Sequence, residues 1–184
     1  MIYLKKTIKR GSYMKQCGGS TLFLDKTNIT TEEIFSIPEG KTEKEVKIFD
    51  NLDLTGFEPK RDVPGKKVIV SRDNFGIGEN QESVAKALKA AGILTIVVST
   101  IGSEFKKILK NENIVVVDLD KKTIEDMFKT FSEKDTDCLV LLSEDGTSKI
   151  KLISGSLSKS YTFNLEEFYK KLLQEGGLTS CKNV

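Results

Sequence analysis

The sequence predicts an α/β fold with a mixed sheet and flanking helices, and two patterns carry this prediction. Between residues 68 and 131, short apolar runs alternate with amphipathic segments, which indicates parallel strands joined by right-handed helical crossovers. Residues 137–163 instead place two apolar runs around an Asp-Gly pair, which is a signal for an antiparallel hairpin. At 184 residues the chain has the usual length of one domain and can bury a substantial core.

The first 18 residues form a basic segment. It contains five cations and no acid, namely Lys5, Lys6, Lys9, Arg10 and Lys15. We predict a short edge strand or a weakly ordered terminus here, and a basic arm for RNA or lipid is the alternative. Gly18 and Gly19 are predicted to break the chain before a first core strand at 21–24. We therefore expect an extension over 1–18 and a single domain over 19–184.

A short helix is predicted after this first strand. Thr30 or Thr31 can cap it, and Glu32 and Glu33 occupy the first turn, where the helix dipole favours acids. Residues 38–65 contain all three prolines and several glycines, so we predict that they are mostly connection.

Residues 66–92 predict a strand, a tight turn and a helix in direct succession. The strand is the β-branched run 68–70, the turn contains Gly76 and Gly78, and apolar residues at 84, 87, 88 and 91 mark one helix face. Gly92 is predicted to end this helix in a left-handed conformation. The N–H groups of the first helical turn, together with the helix dipole, favour an anion above the turn, although Gly-x-Gly alone does not identify a ligand.

The remaining elements follow the same reasoning. Residues 93–98 and 114–119 are nearly continuous apolar runs, as expected for strands buried on both faces. Helices are predicted at 103–109 and 123–131, the second with Ile124, Met127, Phe128 and Phe131 on one side. The hairpin strands are placed at 137–142 and 149–153, with a further strand at 161–163. A terminal helix is predicted with Asn164 as N-cap, Glu167 at N3, and an apolar face of Leu165, Phe168, Leu172 and Leu173, stopped by Gly176 and Gly177.

Charge and side-chain chemistry exclude several classes of function. With 29 basic and 27 acidic residues, a formal charge of +2 gives no reason to expect nucleic acid or a membrane surface as partner. The chain has no histidine, and Cys17, Cys138 and Cys181 are far apart. We therefore expect no metal site of usual spacing and no Ser-His or Cys-His pair within the chain. Scattered cysteines and the lack of a long apolar run predict a soluble cytoplasmic protein.

Four stretches of the chain match a known family pattern in order and spacing over residues 19–180. They are Asn-Phe-Gly-Ile-Gly at 74–78 with Ala-Leu-Lys-Ala-Ala-Gly at 87–92, Asn-Ile-Thr-Thr-Glu-Glu-Ile at 28–34, Ser-Thr-Ile-Gly-Ser-Glu-Phe at 99–105, and Glu-Gly-Gly-Leu at 175–178. This pattern resembles the swivel domain of aconitases, which also occurs as the separate small subunit of isopropylmalate isomerase (3-isopropylmalate dehydratase). The resemblance implies a β/β/α swivel-type domain.

The resemblance also implies a function. In this family the substrate is a hydroxy di- or tricarboxylate, and the hydro-lyase reaction removes and re-adds water. An iron–sulfur cluster on a separate large subunit acts as Lewis acid, so this chain would hold no cofactor itself and would not be active alone. The isopropylmalate enzyme serves leucine biosynthesis in the cytoplasm. The family's swivel domain supplies a serine base and an arginine that grips a carboxylate.

The segment that carries this base and this arginine is altered here. Against the family's Gly-Ser-Ser-Arg-Glu-His, Gly78 and Glu82 match, while Glu79 and Asn80 replace the serines, Gln81 the arginine and Ser83 the histidine. In the preceding motif Thr31 matches and Glu32 replaces an aspartate, and Ser103 stands at the arginine of Ser-Phe-Ala-Arg. We assign no catalytic residue and no metal ligand. The candidate substrate-binding residues are Thr31, Glu32, Gly76, Gly78, Glu79, Asn80 and Gln81.

Charge makes this alteration consequential. Two unit charges ~4 Å apart interact by about 1 kcal/mol in water and about 4 kcal/mol at an effective dielectric of about 20, so Glu79 would repel a carboxylate that an arginine attracts. Loss of a charge-assisted hydrogen bond adds roughly 1.5–3 kcal/mol. A polycarboxylate in the usual pose is therefore disfavoured, and Arg72, Lys67 or an arginine of the partner would have to supply the grip.

Three interpretations stay open. The chain is an active small subunit for a less anionic hydroxy acid, or a catalytically degenerate paralogue that acts as a binding or regulatory module, in which residues 79–81 are ordinary polar residues at a helix start. A third interpretation, a nucleotide phosphate on the glycine turn, lacks the third glycine of that motif and is opposed by the charge of Glu79.

Overall fold

A computed structural model describes residues 13–143 and 145–175 and contains one seven-stranded mixed sheet in the order β4-β3-β2-β1-β5-β6-β7. The strands are β1 Tyr13–Leu24, β2 Val68–Ser71, β3 Thr95–Val98, β4 Val115–Asp118, β5 Asp137–Ser143, β6 Ser148–Ser154 and β7 Leu157–Phe163. The helices are α1 Thr31–Ile34, α2 Pro59–Asp62, α3 Gln81–Ala90, α4 Ser103–Asn111, α5 Lys121–Phe131 and α6 Glu167–Gln174, with a 3-10 turn at Glu43–Glu45. The predicted α/β fold with a mixed sheet and flanking helices is confirmed.

Strands β1 to β4 are parallel neighbours, and this half of the sheet positions the candidate site. Their registers place Leu22 opposite Ile69, Ile69 opposite Ile96 and Ile96 opposite Val116. Because the strands run in the same direction, the loops that leave β1, β2 and β3 emerge together at one edge of the sheet. The two motifs with the candidate residues, 28–34 and 74–81, lie in the loops that leave β1 and β2.

Two cores cover the two faces of the parallel strands, which explains why every residue of β2, β3 and β4 except Asp118 is buried. Ile69, Ile96 and Val116 face a core shared with α1, α3 and α4. The alternate residues of the same strands face a second core with α5 and α6, which continues under the antiparallel strands β5 to β7. Helices therefore lie on both faces of the parallel half.

The hairpin between β5 and β6 forms where the Asp145-Gly146 pair predicts it, with Leu142 opposite Ser148 and Gly146 at a φ of +82°. Strand β7 is longer than the predicted 161–163 and pairs along its whole length with β6. The helix after β2 also ends as predicted, because Gly92 has a φ of +85° and donates its N–H to Lys89 O.

The predicted break at Gly18 and Gly19 is wrong, because β1 runs through both residues. They pair with Leu139 and Cys138 of β5, and a β-carbon on Gly18 would lie 2.0 Å from Cys138 O. The glycines therefore permit a close approach between neighbouring strands. Residues 13–18 belong to the sheet and residues 1–12 lie outside the described residues, so the division at 18/19 stays a prediction.

The predicted N-cap of α6 is also wrong. Glu166, not Asn164, occupies that position, and its carboxylate contacts Lys106 at 3.0 Å and Lys110 at 3.2 Å instead of capping the helix. Tyr169 and Leu173 are buried, whereas Phe168, predicted to face the core, is 40% exposed beside Lys110. The predicted stop at Gly176 and Gly177 and the motif residue Leu178 lie outside the described residues.

Residues 38–65 are mostly connection, as predicted, but they also supply core side chains. Val46, Ile48 and Phe49 are buried against the face of α1, α3 and α4. Phe49 has a φ of +66°, which is uncommon for a large side chain, and its N–H donates to Ile34 O at 2.7 Å. This segment therefore braces the end of α1.

Candidate functional site

The two altered motifs meet in the structure, forming what we call the Thr31 corner, residues 30–32 and 76–81. A parallel bridge joins Thr30 to Ile77, and the N–H of Thr31 donates to Ile77 O at 2.9 Å. The N–H groups of Gly76 and Ile77 donate to Ile29 O at 2.8 and 3.2 Å. Backbone bonds in both directions therefore hold the glycine turn against the start of α1.

Both glycines of the turn are required by close neighbours. A β-carbon on Gly78 would lie 2.4 Å from Thr31 Oγ1, and one on Gly76 would lie 2.1 Å from the ring of Phe105. Their φ angles are +129° and +77°, which side chains rarely tolerate. The turn therefore packs against Thr31 through Gly78 and against Phe105 of α4 through Gly76.

Helix α1 is fixed by a capping box. The N–H of Glu33 donates to Thr30 Oγ1 at 3.2 Å, and the N–H of Thr30 donates to the Glu33 carboxylate at 3.0 Å. Lys26 approaches the same carboxylate at 2.5 Å. Burial alone would raise the pKa of Glu33, but the bonds from Lys26 and Thr30 outweigh it and hold that pKa below its ordinary value.

Three loops at this edge are tied together by a small polar network that sequence reasoning missed. Asn74 Nδ2 donates to Asn28 Oδ1 at 2.7 Å, and Thr100 Oγ1 donates to Asn74 Oδ1 at 3.1 Å. Asn28 and Asn74 both have φ near +57°, at 56° and 59°. Asparagine is enriched in this left-handed region, so an Asn in each loop that leaves a strand was a usable signal. The network sets the spacing between the loops after β1, β2 and β3.

Residues 79–81 form the start of α3. Asn80 is the N-cap residue in a left-handed conformation, and its side chain makes no capping bond. Gln81 turns back, and its Nε2 donates to Gly76 O at 3.1 Å. Glu79 is exposed and has no ion pair within the described part of the chain. The side chain of Gln81, which stands at the family's arginine position, therefore holds the turn.

A cavity of about 310 Å³ opens beside the corner. Its lining residues are Thr31, Glu32, Phe35, Ser36, Ile37, Asn80 and Ser83. None of these described residues is a cation, whereas Glu32 is an exposed acid and Glu79 and Glu82 are exposed acids close by in the sequence. The local charge is therefore negative. The first three N–H groups of α3 precede its first internal bond, from Val84 to Asn80, so they remain available as donors.

Two cations of this chain, Arg72 and Lys67, were candidates for gripping a substrate carboxylate. Arg72 is engaged in ion pairs, and Lys67 lies away from the corner. Arg72 stacks on Phe128, 4.3 Å from the ring centroid, and forms ion pairs with Asp25 and, at 2.5 Å, with Glu125. Lys67 precedes β2 at the opposite edge of the sheet, beside Gly19 and Gly92. The expectation that either one serves the corner is therefore wrong.

A larger cavity, of about 570 Å³, lies at the same edge between the loops and α5. Two ion pairs lie within its lining, since Arg72 pairs with Glu125, and Asp73 pairs with Lys121 at 2.7 Å. Hydrogen bonds from Lys121 and Ser99 hold the pKa of Asp73 below its ordinary value. These residues stabilise the packing of α5 on the sheet.

The cysteines and acids offer no metal site within residues 13–143 and 145–175, where no group of three possible ligands is close enough to hold an ion. Cys17 and Cys138 are buried in the core, and burial raises the pKa of the Cys138 thiol, which keeps it protonated. Cys181 lies outside the described residues. In the described part of the chain, no helix has the length and apolar character needed to cross a membrane.

Comparison with known proteins finds relatives of this chain by sequence. No family model matches the chain. The 3-isopropylmalate dehydratase small subunit of Buchnera aphidicola subsp. Thelaxes suberi is 28% identical over 174 residues, which cover 86% of this chain and 81% of that protein. The small subunit of Pseudoalteromonas translucida (strain TAC 125) is 28% identical over 126 residues, covering 61% and 62%.

The structural comparison concerns the fold. A crystal structure of 3-isopropylmalate dehydratase from Methanocaldococcus jannaschii superimposes with a TM-score of 0.55 and covers 89% of this chain and 91% of its own, at 20% sequence identity. The seven-stranded mixed sheet with helices on it thus has a solved counterpart. The chain is therefore a distant homologue of the 3-isopropylmalate dehydratase small subunits and has their swivel-type fold.

Proposed function

We propose that this chain is the small, swivel-type subunit of a two-subunit hydro-lyase. It works in the cytoplasm with a separate, cluster-bearing large subunit on a hydroxy acid that is less anionic than isopropylmalate. The cluster supplies the Lewis acid, and the Thr31 corner contributes one wall of the substrate pocket. Of the seven residues named from the sequence, Thr31, Glu32 and Asn80 line the cavity at this wall. Gly76, Gly78 and Gln81 hold the turn in place, and Glu79 lies exposed beside it.

One observation carries the proposal, namely the close packing of Gly78 against Thr31. Two segments resemble the family's substrate-binding motifs, and Thr31 of the first is 46 residues from Ile77 of the second. Backbone hydrogen bonds nevertheless join the two segments. Gly78 lies so close to Thr31 that it leaves no room for a β-carbon. Such a pairing is needed for a shared pocket, and both glycines are needed for the pairing because neither position has room for a β-carbon. The relatives support the same class of reaction.

The side chains of the corner support the choice of substrate class. A carboxylate near Glu79 or Glu32 would meet like charge, and none of the cavity's lining residues offers a compensating cation. The free N–H groups at the start of α3 can still bind a hydroxyl or a single carboxylate oxygen. A substrate with one carboxylate, bound by the large subunit, and a neutral group at the corner suits this wall best.

The test is to purify the chain with its partner. Anaerobic co-purification should yield a complex that contains iron, and this complex should hydrate or dehydrate at least one member of a panel of hydroxy acids with one or two carboxylates. Neither subunit should be active alone. A chain that stays monomeric in the presence of every cluster-bearing protein of its cells would contradict the proposal.

A second candidate, a non-catalytic binding or regulatory module, is favoured by the bond from Gln81 to Gly76 O. A side chain used in this way holds the loop and does not reach a ligand. In that case the complex would form without turnover of any hydroxy acid, and activity in the assay above would eliminate this candidate.

A further inference from the structure

Strand β7 forms one end of the seven-stranded sheet. Its seven residues pair with β6 in one unbroken register, from Leu157 opposite Ser154 to Phe163 opposite Ser148. Within residues 13–143 and 145–175, no strand pairs with the other side of β7. Alternate residues of β7 therefore direct their N–H and C=O groups away from the sheet, where a further strand can bind them. The strand at the opposite end, β4, has only four residues and offers a shorter edge.

The edge of β7 lacks the features that normally prevent pairing with another chain. Proteins protect such edges with a proline, a bulge or a charged side chain that extends into solvent. Strand β7 contains no proline, and its register with β6 has no shift. Its single charge, Lys159, is directed onto α5, where Nζ lies 2.8 Å from Asp126 Oδ1 and 3.2 Å from Thr130 Oγ1. The hydroxyl of Tyr161 donates to the same carboxylate at 2.5 Å. The lysine is therefore neutralised and does not protect the edge.

The residues of β7 are complementary to a second copy of the same strand. Two identical strands can pair in an antiparallel arrangement with a two-fold axis. Each residue then faces the residue at the same distance on the other side of the axis. When the axis passes through Ser160, side chains of compatible chemistry face each other. The facing pairs are Ser160 with Ser160, Lys159 with Tyr161, Ser158 with Thr162, and Leu157 with Phe163.

The chemistry of these pairs favours the contact. Leu157 is 36% exposed, and pairing would bury its side chain against Phe163 of the second copy. Lys159 would face the ring of Tyr161 and not another lysine, and β7 contains no acid that could oppose another acid. The hydroxyl pairs can hydrogen-bond across the two strands. An unrelated strand would not be expected to match at every position, so a second copy is the occupant that this sequence favours.

We propose that two copies of this chain associate through β7, in an antiparallel two-fold pair centred on Ser160 that continues the sheet from one copy into the other. This inference goes beyond the proposed function and does not depend on it. Strands β5 and β6 separate β7 from β1, so the contact lies away from the loops of the Thr31 corner. One strand from each copy makes a small interface, and we therefore expect a Kd of about 1–100 μM.

The experiment measures the association of the full chain by sedimentation velocity between about 1 μM and about 1 mM. The two edge variants are Ser160→Glu and Ser160→Lys. Because position 160 lies on the proposed axis, each variant alone brings two like charges together, whereas an equimolar mixture of the two brings opposite charges together. The matched controls are Ser132→Glu and Ser132→Lys after α5. Both serines are exposed, so all four variants should keep the fold.

We expect each Ser160 variant to raise the Kd of its own dimer about tenfold or more and the equimolar mixture to return to within about threefold of the wild type. Both Ser132 variants should stay within about twofold of the wild type. The backbone amides of β7 should also exchange more slowly with solvent at the high end of the concentration range.

Three results would overturn the proposal. A wild-type chain that stays monomeric over the whole range would exclude the dimer. A dimer whose Kd is unchanged in both Ser160 variants would use another surface. Two weakened variants that do not recover on mixing would exclude the two-fold axis at Ser160. Each result would leave the proposed function intact, because none of them concerns a cluster-bearing partner.

Discussion

Gly78 lies directly against Thr31, so that a β-carbon at position 78 would be 2.4 Å from Thr31 Oγ1. Thr31 is itself buried and its hydroxyl donates to Glu32 at 3.3 Å. The glycine turn therefore cannot be moved from α1 without opening the corner. This contact links the loop after β2 to the loop after β1, and its energetic weight can be measured.

Replacing Gly78 by alanine should destabilise the protein by about 2–4 kcal/mol, because the new methyl group meets Thr31 and the φ of +129° is strained for alanine. Gly56→Ala is the matched control, since Gly56 has a φ of +79° and open space around it, and it should lose only about 1 kcal/mol. Urea unfolding of both variants gives the difference. Adding Thr31→Ala to Gly78→Ala should recover part of the loss, and no recovery would show that the contact is not the cause.

The polar network between Asn74 and its neighbours should position the turn. Asn74→Ala removes the bonds to Asn28 and Thr100 and strains the backbone at a φ of +59°, so we expect a loss of about 1–2 kcal/mol. Asn74→Gly removes the same bonds but relieves the strain, and it should lose less. Hydrogen exchange of residues 74–78 should be faster in both variants. Equal stability of both variants would contradict a contribution from backbone strain.

Glu33 should make the stability of the corner depend on pH. Its pKa is lowered in the folded protein, so its contribution is fully present above the unfolded value of about 4.3 and is lost as pH falls through the folded pKa. Glu33→Gln should therefore be less stable than the wild type at neutral pH, by about 1–2 kcal/mol. The difference between the two proteins should shrink as pH falls through the folded pKa of Glu33. Thermal melts across this range would contradict the idea if the difference stayed constant.

Restoring the family's side chains should restore carboxylate binding. In the double variant Glu79→Ser, Gln81→Arg, the repulsion is removed and a guanidinium is added, so dicarboxylate affinity should rise about tenfold or more. Calorimetry compares isopropylmalate with a hydroxy monocarboxylate, and the affinity for the dicarboxylate should gain more because it carries the larger negative charge. The variant Glu133→Ser is the control for a change of charge elsewhere. An unchanged affinity would show that the corner no longer lies in a substrate pocket.

Several features were predictable from the sequence because they depend on neighbours along the chain. The alternation of apolar runs and helix faces predicts β2, α3, β3, α4, β4 and α5, and the structure confirms them. The cap at Thr30, the hairpin at Asp145-Gly146 and the helix end at Gly92 are local backbone chemistry, which residue type largely decides. The meeting of Thr31 with the glycine turn was expected from the resemblance and is present in the structure.

Other features depended on partners far along the chain. Gly18 and Gly19 were interpreted as a break, but strand β5 lies so close that glycine is needed there. Arg72 looked available to a ligand, but Asp25, Glu125 and Phe128 surround it once α5 packs on the sheet. Glu166, not Asn164, is the N-cap residue of α6, and its carboxylate pairs with two lysines of α4.

The sequence by itself therefore determined the class of fold, the order of its elements and the loss of the serines and the arginine. The tertiary structure alone decided which side chains face one another: that Gln81 holds Gly76, that Arg72 pairs with Glu125, and that no cation lines the cavity beside Thr31 among the described residues. The physical reason is that backbone patterns repeat over a few residues, whereas burial and charge pairing depend on segments that only folding brings together.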